Sequence, residues 1–305
     1  MADFARALAE GGLVLDGGLA TELEAQGHDL TDALWSARLL ADDPRAVVEA
    51  HRAFYAAGAR VATTASYQAG FAGFAAAGLS REEAAALMRR SVRLADQARA
   101  GMPAPDSLFV AASIGPYGAS LADGSEYTGA YDLDVHGLRA FHRPRLEVLA
   151  GAGADVLAVE TVPCLAEVEA LLEELARLDG IPAWLSLTCA GGRTRRGEDP
   201  AEAFAMAADV DAVVAVGINC TAPGEVAELV PAAVAASGKP VLVYPNSGEG
   251  WDARTRSWTG GSAFTVGQVA GWLDAGASAV GGCCRVGPAD IAAVAGALSA
   301  SGPRR

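Results

Sequence analysis

No apolar run in the 305-residue sequence reaches the length of a bilayer-spanning helix. The opening residues, MADFARALAE, carry acids and lack the apolar stretch of a signal peptide, so a cytoplasmic protein is expected. Basic charge is also scarce. Against 37 Asp and Glu there are 23 Lys and Arg, a net charge of −14. That balance excludes a nucleic-acid binder, which needs a basic face. It either draws small cations or simply keeps an apolar chain dispersed. Cysteine is sparse and odd in number, five in all, with no C-x-x-C pair and no small-scaffold spacing. That pattern disfavours a disulfide framework and favours metal or thiol chemistry. The first strand candidate runs into D-G-G-L-A-T, which is neither G-x-G-x-x-G nor a P-loop, so no nucleotide cradle follows it.

What the chain has in abundance is apolar surface, 51% hydrophobic against 20% charged residues, the balance of a globular protein with a large core. Short apolar runs alternate with longer amphipathic ones. The strand candidates are Leu13 to Asp16, Val61 to Ser66, Leu108 to Ile114, Val156 to Glu160, Trp184 to Thr188, Ala212 to Asn219, Val241 to Tyr244 and a run ending at Val280. A helical pattern follows each. Ser80 with Glu83 reads as a capping box, and Pro144 as a break or kink in the helix from Asp134 to Ala150. The joints A-G-A-R-V, A-G-A-D-V and A-G-A-S-A each put Gly just past a helix, with a strand straight after. Eight such units predict parallel strands with right-handed crossovers, closed as a single α/β (β/α)8 TIM barrel over residues 1–305. A doubly wound open sheet is the alternative.

In a barrel the chemistry lies at the C-terminal ends of the strands. Those ends hold Asp16-Gly17-Gly18, Thr64 to Tyr67, Ser113 to Tyr117, Glu160-Thr161, Thr188-Cys189, Asn219-Cys220, Tyr244 to Asn246 and Cys283-Cys284. Side chains of neighbouring strand residues face opposite ways, so vicinal cysteines that serve one place require a turning backbone, which Gly281 and Gly282 allow. Cys220, Cys283 and Cys284 then supply three thiolates, the ligand count of a zinc ion that keeps one position open. The competing reading is small buried or disulfide-linked residues. Three thiolates give Zn2+ a formal charge of −1 and make it a weak Lewis acid, suited to holding a substrate thiol as thiolate. Zinc deaminases can activate water with a three-cysteine site, but they need H-x-E and P-C-x-x-C, and both are missing here.

Glu160 and Asp16 are candidate anchors for a substrate ammonium group, or else carboxylates satisfied by backbone N–H groups. Cys164 and Cys189 read as packing residues, Cys189 being nearer the rim. His28, His51, His136 and His142 read as structural or exposed, and Arg193 to Arg196 as a solvated loop. The segments Tyr117 to Tyr131 and Trp251 to Trp258 carry aromatics able to face a cation or to pack their own loops.

These motifs resemble the homocysteine S-methyltransferases, particularly the bacterial type that uses S-methylmethionine. The resemblance spans nearly the whole chain: D-G-G-L-A-T-E-L-E near the start, T-A-S-Y-Q-A at Thr64, G-S-E-Y-T-G-A-Y at Gly124 and H-R-P-R at His142. It continues with V-E-T-V-P at Val159, G-I-N-C-T-A-P at Gly217, Y-P-N-S-G-E at Tyr244 and G-G-C-C-R at Gly281. It implies that Cys220, Cys283 and Cys284 hold zinc carrying the homocysteine thiolate, and that Glu160 binds the substrate amino group. It also implies that the segment with Asp16, Gly17, Gly18, Ala20 and Thr21 holds the amino-acid end. Asn219 and Asn246 join the candidate substrate contacts. The implied reaction moves a methyl group from a sulfonium to homocysteine, giving methionine, without nucleic acid or membrane. S-methylmethionine is the favoured donor, S-adenosylmethionine a slower one and betaine inactive. Selenocysteine as acceptor, a zinc lyase or hydrolase, and a non-catalytic zinc- or thiol-binding protein are the alternatives.

Overall fold

The computed structural model describes residues 3–30, 36–178, 180–252 and 257–301. Eight parallel strands form its centre: β1 (Leu13–Val14), β2 (Val61–Thr63), β3 (Phe109–Ile114), β4 (Val156–Val162), β5 (Ala183–Leu187), β6 (Val213–Asn219), β7 (Val241–Tyr244) and β8 (Ala277–Val280). Hydrogen-bonded neighbours run β1-β8-β7-β6-β5-β4-β3-β2, the order of a (β/α)8 barrel with its seam between β1 and β2. The seam has its own ties. Arg60 donates its backbone N–H to the Val14 carbonyl at 2.8 Å. One residue past β1 and Leu15, the Asp16 carboxylate accepts the Thr63 backbone N–H at 2.6 Å and the Thr63 hydroxyl at 2.9 Å.

The alternation of side chains along each strand sorts the core into two. Leu13, Val61, Phe109, Ala111, Val156, Ala158, Trp184, Ala215, Leu242 and Ala279 fill the barrel interior. The intervening Val110, Ala112, Leu157, Val159, Leu185, Val216 and Val243 pack against the surrounding helices. A helix not foreseen from the sequence, α1 (Phe4–Ala9), plugs the N-terminal mouth. Its Phe4 ring stacks on Trp184 and meets Phe109 edge-on, at 5.7 and 5.4 Å between centroids. Toward the other mouth the inward positions turn polar: Ser113 beyond Ala111, Glu160 beyond Ala158, Ser186 beyond Trp184 and Asn219 beyond Gly217. That gradient builds a dry floor under a polar rim.

The outer helices include α2 (Leu19–Ala25), α3 (Ser36–Asp42), α4 (Pro44–Ala56), α5 (Phe71–Ala76), α6 (Arg81–Ala100), α7 (Tyr117–Leu121), α8 (Val135–Ala150) and α9 (Leu165–Leu175). After them come α10 (Pro200–Ala208), α11 (Pro223–Ser237), α12 (Gly267–Asp274) and α13 (Pro288–Ser301). The capping box at Ser80 and Glu83 opens α6. The three A-G-A joints bring Gly58, Gly153 and Gly276 into the left-handed region, at φ of 101°, 91° and 115°, where a side chain is costly. Two expectations need correction. Pro144 does not end α8, which runs from Val135 to Ala150 with the proline inside. The stretch from Tyr117 to Tyr131 is no open loop, since it folds into α7 and a 3-10 turn at Ser125–Tyr127. Among the described residues no helix is long and apolar enough to cross a membrane.

Candidate metal centre and substrate pocket

Cys220 is the first residue past β6, and Cys283 and Cys284 follow β8 after two glycines. The glycines are there for close approach. A Cβ on Gly281 would lie 2.6 Å from Leu15 Cβ, and one on Gly282 would lie 2.1 Å from a Val286 methyl. The backbone turns sharply on both sides, with Cys220 at φ 46° and Arg285 at φ 65°. Three hydrogen bonds to two neighbouring loops hold the turn. Gly282 N–H donates to the Asp16 carbonyl at 2.9 Å, Cys283 N–H to Pro245 at 2.7 Å, and Ser247 N–H to the Cys284 carbonyl at 2.9 Å. The result turns both vicinal side chains to one place.

The Sγ–Sγ separations are 3.7 Å from Cys220 to Cys284, 3.9 Å from Cys283 to Cys284 and 2.8 Å from Cys220 to Cys283. Tetrahedral zinc with Zn–S bonds of about 2.3 Å sets sulfurs about 3.8 Å apart. Two edges already match, and the third has to open by about 1 Å. It is also well outside the roughly 2.05 Å of a disulfide. Cys220 and Cys283 hydrogen-bond to Cys284 and hold its thiol well below the ordinary range, while Cys220, then Cys284 and burial, push Cys283 well above it. Three sulfurs this close cannot all be ionised without a cation among them. The donor set fits a thiophilic metal ion. Cys164 and Cys189 are buried and stand outside this cluster.

Glu160 ends the inward row of β4. Its carboxylate accepts the Ser113 hydroxyl at 2.5 Å, and the hydroxyl of Tyr244 accepts the Trp184 indole N–H at 2.9 Å. Burial pushes Glu160 up to about 7 against the pull of Ser113, and the charge of Cys220 is felt there too. Burial raises Asp16 further, to about 8, although Thr63 opposes it. Both Asp16 carboxylate oxygens are engaged by Thr63, which makes the side chain a tie across the barrel seam. Within the same segment Gly18 N–H is bound to the Val286 carbonyl, and the Thr21 hydroxyl accepts Arg285 N–H. The Asn219 amide oxygen accepts from the Thr161 backbone N–H and the Ser186 hydroxyl, and its amide nitrogen donates to the Thr161 hydroxyl. Asn246 closes a turn by accepting Gly248 N–H.

Three features escaped the sequence reading. The Arg193–Arg196 run is solvated only in part: Arg193 and Arg196 are exposed, while Arg193–Thr194 pairs with Cys189–Ala190 in a hairpin and Arg195, at its end, donates to the Cys220 carbonyl and the Thr188 hydroxyl, both at 3.0 Å. Its guanidinium lies 5.3 Å from the centre of the Tyr127 ring. Second, H-R-P-R is a brace. His142 meets Glu167 at 2.8 Å, Arg143 meets Glu174, and buried Arg145 donates to the Gly115 and Tyr67 carbonyls at 2.9 Å. Third, Glu126 is buried on the turn that also carries Tyr127, and burial lifts it to about 7. Of the loop aromatics, Tyr117 packs on Tyr131 and Phe141, and Tyr127 lies against Arg195; the side chains of Trp251 and Trp258 lie outside the described residues.

The family model for homocysteine S-methyltransferase matches residues 13–298. A homocysteine S-methyltransferase of Escherichia coli strain K12 is 46% identical over 290 residues, covering 92% of this chain and 94% of the relative. Homocysteine S-methyltransferase YbgG of Bacillus subtilis is 43% identical, with 93% of each chain covered. The metallated form of homocysteine methyltransferase MmuM from E. coli superposes with a TM-score of 0.84 at 43% identity, covering 93% of this chain and 95% of that one. A sulfur cluster on the rim of a barrel, with a buried carboxylate beside it, thus sits in a chain that belongs to the homocysteine S-methyltransferase family.

Proposed function

We propose that this protein transfers a methyl group from a sulfonium donor to the thiol of L-homocysteine at a zinc site made by Cys220, Cys283 and Cys284. The observation that carries the proposal is the juxtaposition of three convergent sulfurs with a buried carboxylate, Glu160, inside one barrel mouth. When bound there, Zn2+ supplies thiolate chemistry, because ligation ionises a thiol that is otherwise mostly protonated at neutral pH.

The chain's own residues supply the rest. Glu160 meets the homocysteine ammonium, with Ser113 fixing the carboxylate from behind. The Asp16–Thr21 backbone borders the amino-acid end, while the Asp16 side chain keeps the seam closed beneath it. The apolar barrel floor excludes water, which would compete for the methyl group. The carbon transferred moves in line from one sulfur to another, so positioning is the main task of the protein. As it moves, the donor's positive charge is discharged onto the acceptor thiolate. A negatively charged pocket therefore favours a cationic donor. Among such donors S-methylmethionine fits the family, with S-adenosylmethionine slower and betaine inactive.

Mass spectrometry of products from homocysteine with each donor tests the assignment. Methionine formed fastest with S-methylmethionine is expected. A faster reaction with betaine overturns the donor, and consumption of homocysteine without any donor overturns the reaction class.

A further inference from the structure

Glu126 has no role in the account above. It is 6% exposed, its Oε2 has no hydrogen-bond partner, and no ion pair reaches it among the described residues. A buried carboxylate in that condition is costly, and native structures keep one chiefly where something completes it. The fold has gone to some length to place it. The 3-10 turn Ser125–Tyr127 presses against α7 at Gly118, where a Cβ would lie 2.4 Å from the Glu126 nitrogen. Gly124 opens that turn in the left-handed region, at φ 86°. The next residue, Tyr127, lies under the Arg195 guanidinium, which itself bonds the Cys220 carbonyl at 3.0 Å, so the turn reaches the sulfur site through Arg195. Charge on Cys220 is felt at Glu126, and that of Glu126 at Tyr67.

Two carboxylates therefore border one pocket in different ways. Glu160 stands inside the barrel on a strand and is already held by Ser113. Glu126 stands on the connection after β3 with an acceptor oxygen to spare. An unused buried acceptor calls for an N–H donor carrying positive charge. A sulfonium has the charge but no N–H. We propose that Glu126 binds the ammonium group of an amino-acid methyl donor, while Glu160 binds that of the acceptor. The proposal rests on the reading that the donor is an amino-acid sulfonium.

The test is Glu126→Gln in the zinc-loaded enzyme, which keeps the shape and removes the charge. The KM for S-methylmethionine should rise about 10- to 100-fold, with the KM for homocysteine and the metal content within twofold of wild type. The melting temperature should stay level or rise, because an uncompensated buried charge is gone. As a second probe, 4-dimethylsulfoniobutyrate is S-methylmethionine without its amino group. It should compete weakly with the donor, and equally in both proteins. An unmoved donor KM, a raised homocysteine KM, a lowered melting temperature, or equal weakening of both sulfonium compounds overturns the assignment. Should the wild-type enzyme itself ignore S-methylmethionine, the donor reading fails and this inference with it; an active wild type with an unmoved variant sinks this inference alone.

Discussion

The Asn219 side chain closes on Thr161: its amide oxygen accepts the Thr161 backbone N–H at 2.9 Å, and its amide nitrogen donates to the Thr161 hydroxyl at 2.7 Å. Thr161 is held at φ 61°, a left-handed conformation that a β-branched residue rarely adopts. It follows Glu160 directly, so the strain is stored beside the proposed ammonium anchor. Ser186 donates to the same Asn219 oxygen at 2.8 Å, so both acceptor positions of that oxygen are filled. Through Thr161, Asn219 positions Glu160. Asn219→Ala should lower kcat/KM by about tenfold, chiefly through the homocysteine KM, because the carboxylate loses its fixed direction. Adding Thr161→Gly should restore part of that loss, since glycine takes positive φ without strain. A double variant no better than Asn219→Ala would show that the asparagine acts in another way.

Arg195 brings a positive charge to the back of the metal site, bonded to the Cys220 carbonyl and stacked on Tyr127. Outer partners of this kind typically change metal affinity by about 10- to 100-fold. Arg195→Met should weaken zinc retention by that factor in competition with a chromogenic chelator, and Arg195→Lys should recover only part, lacking the planar fork. Cys220→Ala, Cys283→Ala and Cys284→Ala set the other end of the scale: elemental analysis should find zinc lost from each. Full zinc retention in Cys283→Ala would remove the metal assignment itself.

Much of this was legible in the sequence because it is written in short-range patterns. Alternating apolar runs and A-G-A joints predict the barrel, and the strand-end rule collects Glu160, Cys220, Cys283 and Cys284 on one rim. What stayed hidden depends on contacts between distant segments. Arg195 looks like any exposed charge until the hairpin folds it onto Cys220, 25 residues away. Glu126 reads as a polar loop residue, since its burial comes from α7 packing on the turn. Asp16 was recognisable as a rim carboxylate, but its engagement with Thr63, 47 residues on, follows only from closure of the barrel. Helix α1 was overlooked because a six-residue helix carries too little periodicity to register.

The brace between α8 and α9 predicts an acid-sensitive stability. Glu174 accepts from Arg143 at 2.7 and 2.9 Å and from Arg139 at 2.8 Å, and these guanidinium groups hold its carboxyl down at about 2. A depressed carboxylate stabilises the fold fully above its unfolded pKa of about 4.3, and the contribution disappears as pH falls from there through 2. Arg143 is partly exposed, so solvent screens part of the effect. Glu174→Gln should lower the melting temperature at pH 7 by about 2–4 °C, the shift that about 1 kcal/mol produces in a domain approaching this size. The gap from wild type should narrow steadily between pH 4.5 and pH 2. A gap independent of pH over that range would mean that packing, and no ion pair, is what the substitution removes.

The decisive substitution in the pocket is Glu160→Gln. Glutamine keeps the volume and accepts the same Ser113 hydroxyl, so the barrel rim is preserved while the charge is lost. If Glu160 faces the homocysteine ammonium, what disappears is one charge-assisted hydrogen bond, about 1.5–3 kcal/mol, and kcat/KM for homocysteine should fall by roughly one to two decades. The KM for the sulfonium donor should hardly change, because the other carboxylate, Glu126, serves that substrate. Zinc content should be unchanged as well, since Glu160 lies outside the sulfur cluster. Combining Glu160→Gln with Glu126→Gln gives the sharper reading. Two carboxylates that serve different substrates should give losses in binding free energy that add within a few tenths of a kcal/mol, whereas two that share one ammonium should not. Additive losses, one confined to the acceptor KM and the other to the donor KM, would apportion the two ammonium groups between Glu160 and Glu126. Unchanged homocysteine kinetics in Glu160→Gln would place the acceptor's amino group elsewhere on the rim.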